Sequence, residues 1–168
     1  MYLIAVVLFF VGAIIILQRR KRKRLPIDNK CILITGCDSG IGLFMALSTA
    51  KLGFRVIATC LNRDNPNVVL SLVDNPSIHV LELDVTKTQD VESVKRCVES
   101  YLLEHNLTLW AVINNAGVMV YGNFDWLLES QVKQQIDVNL MGVLHMSKAF
   151  LPLLRSSQGP TIASVKEP

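Results

Sequence analysis

The sequence has few charged residues, and its first part has none. Only 18% of the 168 residues are Asp, Glu, Lys or Arg, whereas 51% are hydrophobic. This combination excludes a disordered chain. Residues 1–17 carry no charge, and residues 19–24 are all Lys or Arg. Removing these six from the 17 basic residues leaves 11 against 14 acidic ones. Because the basic surplus is confined to one short segment, we expect no nucleic-acid partner.

Several motifs of common enzyme and metal sites are also missing. The four cysteines form no C-x-x-C pair and no zinc-ligand spacing, and the sequence has no H-E-x-x-H, no G-x-S-x-G and no Gly-Lys-Ser/Thr. We therefore expect no metal site, no serine hydrolase and no P-loop. We interpret the cysteines as buried free thiols of a reducing compartment. Trp110 and Trp126 are expected to pack within the fold.

Residues 1–17 form an apolar stretch without proline. As a helix rising ~1.5 Å per residue it would be roughly 26 Å long, just enough to span a bilayer. The basic residues follow this stretch, whereas a cleaved signal peptide carries them before it. We therefore expect a transmembrane anchor at 1–17 and a basic linker at 18–27. Positive flanks stay on the cytosolic side, so the remaining domain should face the cytosol.

From residue 28 onward, short apolar runs alternate with longer segments of helical periodicity. The predicted strands are 31–35, 55–60, 78–82, 110–113 and 161–164. The predicted helices are 41–52, 68–73, 88–105 and about 130–150. This alternation predicts an α/β fold, with a doubly wound, Rossmann-like parallel sheet covered by helices on both faces. We expect residues 28–168 to form one dinucleotide-binding domain.

Three glycines follow the first predicted strand in the spacing G-x-x-x-G-x-G: Gly36, Gly40 and Gly42. Glycine permits a sharp turn and lets a pyrophosphate approach the backbone, and the next helix begins with free N–H groups and the positive end of its dipole. A tight turn without a ligand is the alternative. The position between strand and helix favours a dinucleotide site, although the spacing differs from G-x-G-x-x-G.

Two motifs resemble those of the short-chain dehydrogenases/reductases. The first is residues 35–42 (TGCDSGIG), and the second is residues 114–117 (NNAG). Together with residues 109–113, they look closest to the membrane-anchored retinol and hydroxysteroid dehydrogenase branch, with 3-hydroxybutyrate dehydrogenases nearby. The resemblance covers residues 28–164. It implies an oxidoreductase that transfers a hydride between NAD(P) and a lipophilic alcohol or ketone of the retinoid or steroid class. It also suggests the endoplasmic reticulum membrane as the location and allows a homodimer.

The resemblance also assigns site residues. Those expected at the pyrophosphate are Gly36, Ser39, Gly40, Ile41 and Gly42. Those expected around the adenosine are Asp84 and Val85 at the adenine, and Asn115, Ala116 and Gly117 behind the ribose and bracing the sheet. Two residues would be catalytic, Asn139 by holding a water molecule and Ser164 by orienting the substrate carbonyl. The residues after Ser164 (VKEP) differ from the small residues usual in the family.

The choice between NAD and NADP depends on the end of the second predicted strand. An acidic residue there would bind the ribose 2′-OH and repel a 2′-phosphate. Cys60 occupies that position. Asp64 could favour NAD and Arg63 could favour NADP. We expect NAD or NADP, with NAD preferred.

The tyrosine–lysine pair that carries the family's acid–base chemistry is absent. In that pair, a lysine four positions after the tyrosine lowers the tyrosine pKa from about 10. The residues four positions after Tyr2, Tyr101 and Tyr121 are Val6, His105 and Asp125. We therefore expect a truncated product or an incomplete sequence, with a sheet that is incomplete at its carboxy-terminal side. The alternative function is a catalytically incomplete nucleotide-binding or interaction protein.

Overall fold

The computed structural model describes residues 27–157 and 162–164. The anchor predicted at 1–17, and the linker up to residue 26, lie outside the described residues. Over the described part of the chain, no helix combines the length and apolarity needed to cross a bilayer.

Strands and helices alternate along the described chain. The strands are β1 (Lys30–Ile34), β2 (Arg55–Cys60), β3 (Ile78–Glu82), β4 (Thr108–Asn114) and β5 (Ile162–Ser164). The helices are α1 (Gly40–Lys51), α2 (Pro66–Val68, continued by a π-helical turn at Val69–Val73), α3 (Thr88–Glu104), α4 (Glu129–Ile136) and α5 (Val143–Ser156). A second π-helical turn, Asp137–Gly142, joins α4 to α5 and is called the π turn below.

All strand pairs in the sheet are parallel, in the order β3-β2-β1-β4-β5. This confirms the predicted Rossmann-like sheet. The strand order reverses between β1 and β4, and the carboxyl ends of all strands meet at one edge. Ligands of such sheets bind in the crevice outside the carboxyl ends at this reversal.

Helices cover both faces of the sheet, so the core has two layers. Alternate residues of β1 point into opposite layers. Cys31 and Leu33 belong to the layer that also contains residues of α3 and α5, whereas Ile32 and Ile34 belong to the layer with α1 and α2. Because strands buried on both faces need apolar residues at nearly every position, these strands appear in the sequence as continuous apolar runs.

Three expectations from the sequence were wrong in detail. The long helix expected at 130–150 is interrupted by the π turn and continues through Pro152 to the end of α5. Trp126 does not pack, since 77% of it is exposed. Cys97 is exposed, unlike the other three cysteines, because it precedes Val98 on α3 and lies outside the stripe of buried valines on that helix.

Candidate functional site

A cleft of about 1050 Å³ lies at the carboxyl edge of the sheet. It runs from the ends of β2 and β3, over the loop between β1 and α1, to the end of β4 and the π turn. The residues predicted to contact the dinucleotide all line it: Gly36, Ser39, Gly40, Ile41, Gly42, Asp84, Val85, Asn115, Ala116 and Gly117. These residues therefore lie on one contiguous surface, contributed by several separate elements.

The three glycines of the loop differ in what surrounds them. Gly36 has a φ of +69°, and a Cβ there would lie 2.6 Å from the Cα of Ala116. A Cβ on Gly42 would overlap the Gly36 carbonyl oxygen and the Asn115 side chain. Gly40 has a φ of +57°, and no atom lies within 4 Å of its Cβ position. Two glycines thus permit close packing, while Gly40 leaves its backbone open to the cleft.

Thr35 and Asn115 fix the shape of this loop. The Thr35 hydroxyl oxygen accepts the backbone N–H groups of Asn115 and Ala116, each at 3.0 Å. The Asn115 side-chain amide donates to the carbonyl oxygens of Thr35 and Gly36, each at 2.9 Å. These bonds join the end of β1 and the start of the loop to the end of β4.

The start of α1 offers donors to an anion. Ser39 is the N-cap of this helix, but its side chain makes no capping hydrogen bond, and the first turn has no acidic residue. The first N–H groups of a helix have no partner within the helix, and the helix dipole attracts negative charge there. The residues present therefore fit a diphosphate.

At the end of the cleft predicted to hold the adenosine, Asp84 is held by its own loop. Its carboxylate accepts the Thr86 backbone N–H at 3.0 Å and the Thr86 hydroxyl at 2.7 Å, and it pairs with the Lys87 ammonium at 3.3 Å. Partial burial raises the pKa of Asp84, but the hydrogen bonds from Thr86 and the Lys87 charge outweigh burial, so the net pKa is lowered. Asp84 is therefore held ionised and in a fixed position at the edge of the cleft.

Sequence reasoning missed Asp38, which lies in the glycine loop. Its carboxylate accepts the backbone N–H groups of Leu61 and Asn62, each at 3.0 Å. It therefore places an acidic group just beyond the end of β2, where Cys60 itself is buried. Asp38 lines the cleft, whereas Arg63 and Asp64 are exposed and are not among the lining residues. The feature of the sequence that could have indicated this role is the acidic residue inside the glycine loop.

The two residues predicted to be catalytic lie near the other end of the cleft. Asn139, in the π turn, uses both ends of its amide on Val118: its oxygen accepts the Val118 N–H at 2.9 Å, and its nitrogen donates to the Val118 carbonyl at 2.7 Å. These two bonds fix the orientation of the Asn139 side chain against Val118. Ser164 ends β5 in register with Asn114, at the carboxyl edge of the sheet.

Asn114 and the tyrosines differ in their position relative to the cleft. The Asn114 side-chain oxygen is buried and has no hydrogen-bond partner among the described residues, although Asn114 lines the cleft. No tyrosine of the described residues lines it. Tyr101 stacks between His79 and His105, with ring centroids 4.6 and 4.3 Å apart, and Tyr121 is exposed.

Curated proteins similar to this chain are dehydrogenases. Human retinol dehydrogenase 5 is 37% identical over 144 residues, covering 85% of this chain and 44% of that protein. Human 17-beta-hydroxysteroid dehydrogenase type 2 is 39% identical over 137 residues, covering 80% and 35%. Mitochondrial D-beta-hydroxybutyrate dehydrogenase of Bos taurus is 33% identical over 140 residues, covering 82% and 41%. This chain thus spans less than half the length of these relatives.

Solved structures agree on the fold. An alcohol dehydrogenase from the archaeon Thermococcus sibiricus, complexed with 5-hydroxy-NADP, superposes with a TM-score of 0.67 at 28% identity, covering 77% of this chain and 55% of that one. A 3-ketoacyl-(acyl-carrier-protein) reductase from Brucella melitensis, complexed with NADH, gives a TM-score of 0.74 at 24% identity, covering 84% and 58%.

A family model for short chain dehydrogenase matches residues 30–166. This match includes both motifs and the described sheet. Together with the retinol, hydroxysteroid and hydroxybutyrate dehydrogenases among its relatives, it confirms the resemblance that the motifs indicated. The chain belongs to the short chain dehydrogenase family of oxidoreductases.

Proposed function

We propose that this protein binds NAD or NADP in the carboxyl-edge cleft and transfers hydride between the nicotinamide and a lipophilic alcohol or ketone. The observation that carries the proposal is the open backbone at Gly40 beside the uncapped start of α1. A diphosphate there would direct one nucleotide toward the ends of β2 and β3 and the other toward β4, since dinucleotides bind across the strand-order reversal.

NAD is the preferred cofactor in this proposal because of Asp38. Its carboxylate accepts two backbone N–H groups of the segment after β2. A negative charge at this end of the cleft can accept a hydrogen bond from a ribose hydroxyl and repels a phosphate on the same ribose. The two candidates first weighed, Asp64 and Arg63, receive no such support, because neither lines the cleft.

The substrate class is proposed as retinoid or steroid. Two relatives are named as retinol and 17-beta-hydroxysteroid dehydrogenases. The half of the cleft beyond β4 includes the apolar side chains of Val118, Met119, Val138 and Val143, which suits a lipophilic molecule. A membrane anchor at 1–17 in the endoplasmic reticulum, with the domain in the cytosol, would bring the site close to a substrate dissolved in the bilayer.

The residues of this chain would bind and orient the reactants. Bound NAD supplies a nicotinamide ring that accepts or returns a hydride. The glycine loop and the start of α1 would hold the diphosphate, Asp84 and Val85 would lie at the adenine, and the π turn with Asn139 would form part of the substrate side. Ser164 would orient the substrate carbonyl. The alcohol proton requires an acceptor, and no Tyr-x-x-x-Lys occurs in the sequence.

An exposed apolar stripe supports a second candidate function, a nucleotide-binding or interaction protein without turnover. It would interact through the outer side of α4, the π turn and α5. Three side chains spaced four residues apart are about half exposed there: Ile136, Leu140 and Leu144. The same apolar stripe supports a homodimer, since residues at this spacing share one helix face.

A titration separates these candidates. The full chain in detergent micelles is titrated with NAD, NADH, NADP and NADPH by calorimetry, and NADH formation is then followed with all-trans-retinol and with estradiol. Binding with turnover supports the dehydrogenase, and binding without turnover supports the second candidate. Folded protein that binds none of the four nucleotides contradicts both.

A further inference from the structure

Three amide side chains repeat every four residues along α4 and the π turn. They are Gln131, Gln135 and Asn139, and this spacing places them on one helix face. Each amide oxygen accepts a backbone N–H of the segment at residues 118–128. The donors are Leu128 at 2.9 Å, Val120 at 3.2 Å and Val118 at 2.9 Å, respectively.

The first of these bonds has a purely local role. Gln131 accepts the N–H of the residue three positions earlier, which is half of a capping box at the start of α4. Gln135 and Asn139 instead bond to residues 15 and 21 positions away. They attach residues 118–120, which follow the second motif, to the helix beside the cleft.

The attached segment forms a wall of the cleft. Val118 and Met119 line it beyond the end of β4, on the side that the proposed binding mode assigns to nicotinamide. The adenosine side is built from the glycine loop and the ends of β2 and β3, and no hydrogen bond of Gln135 reaches those elements. Gln135 therefore supports one half of the site only.

We propose that Gln135 is a positioning residue for the nicotinamide half of the dinucleotide, and this inference rests on the proposed binding of NAD(P). Its amide oxygen fixes Val120, and with Asn139 it holds residues 118–120 against α4. Without this bond, a half-buried N–H loses its acceptor and the wall is fixed at Val118 alone. The nicotinamide ring then loses a fixed surface, while the adenosine contacts stay in place.

The test compares two ligands that differ only in the nicotinamide. Gln135→Leu removes the acceptor at similar size, Gln135→Glu keeps an acceptor oxygen, and Gln89→Leu is the control at an exposed position of α3. Binding of NAD and of ADP-ribose to the full chain is measured by calorimetry. For Gln135→Leu we expect the NAD dissociation constant to rise about three- to tenfold, as for one lost hydrogen bond. ADP-ribose binding should change less than about twofold, and Gln135→Glu should restore most of the NAD affinity.

Each other outcome has a distinct meaning. Equal weakening of NAD and ADP-ribose by Gln135→Leu would show general damage to the domain and would overturn the positioning role. Unchanged NAD binding, or a Gln135→Glu variant as weak as Gln135→Leu, would also overturn it. If the unmodified chain binds ADP-ribose but not NAD, this inference fails while the diphosphate site stands. If it binds neither ligand, the proposed function itself fails.

Discussion

Gly142 lies so close to Val85 that no side chain fits between them. A Cβ at position 142 would be 2.6 Å from the Val85 Cγ2 and 3.0 Å from its Cβ. One turn later, the His145 Nδ1 lies 3.2 Å from the Val85 carbonyl oxygen. The π turn and α5 are thereby packed against the segment that follows β3, so the two halves of the cleft share a contact.

Replacing Gly142 should consequently destabilise the domain. We expect Gly142→Ala to lower the free energy of unfolding by about 1–3 kcal/mol, because an overpacked core forces side chains and backbone apart. Urea unfolding followed by circular dichroism measures it. Gly122→Ala is the control, since a Cβ there would lie 3.4 Å from the flexible end of Leu127, and it should shift stability by less than about 0.5 kcal/mol. Equal stability of both variants would contradict the close contact.

The predicted role of Gly40 can be separated from its backbone strain. Gly40 and Gly53 both have positive φ, +57° and +99°, so valine at either position costs about 1–2 kcal/mol or more of stability. Only Gly40 faces the cleft. We expect Gly40→Val to abolish NAD binding in calorimetry, because its side chain would occupy the path of the diphosphate. Gly53→Val should lose similar stability and still bind NAD. Full NAD affinity in Gly40→Val would remove the loop from the binding site.

Removing the charge of Asp38 should change the choice of cofactor. In Asp38→Asn, one acceptor oxygen remains for the Leu61 or Asn62 N–H, but the repulsion of a 2′-phosphate is gone. We expect the preference for NAD over NADP, as a ratio of dissociation constants, to fall about tenfold, equivalent to roughly 1.4 kcal/mol. Asp64→Asn is the matched control, because Asp64 is exposed and is not among the residues that line the cleft. If Asp64→Asn lowers the preference for NAD and Asp38→Asn does not, the role of Asp64 considered from the sequence would be supported instead.

Local patterns were enough to predict the fold. The strands are continuous apolar runs because helices cover both faces of the sheet, and the valines of α3 recur at helical spacing because one face of that helix is buried. The glycine loop was recognisable for the same reason: its backbone requirements are local, and only glycine meets them at Gly36 and Gly40.

What the sequence did not reveal depends on contacts between distant segments. The π turn cannot be predicted from helical periodicity, since its surroundings include Val85, which lies far away in the chain. Asp38 acts on residues more than twenty positions later, so its position beyond β2 appears only in the folded chain. Likewise, the spacing of Gln135 and Asn139 is visible in the sequence, but their partners are not.

The buried thiols should make stability fall at alkaline pH. Burial raises the pKa of Cys31 and of Cys60 from 9.0 to about 12, and it also raises the pKa of Cys37. Below pH 9 these thiols are protonated in the folded and unfolded chains alike, so their contribution to stability is fully present. As the pH rises from 9 toward about 12, the unfolded chain loses these protons first, and the folded state is progressively destabilised.

Unfolding free energies obtained from urea denaturation at pH values from 7 to 10.5 test this expectation. Cys60→Ala removes one of the buried protons and should reduce the slope of unfolding free energy against pH above pH 9, by up to about 1.4 kcal/mol per pH unit. The cavity left by this substitution lowers the unfolding free energy equally at every pH. The change of this free energy with pH is therefore diagnostic, and its absolute value is not. Cys97→Ala, at an exposed position on α3, should leave the slope unchanged. Equal slopes in all three proteins would mean that Cys60 ionises as readily in the folded chain as in the unfolded one, which is incompatible with its burial beneath the glycine loop.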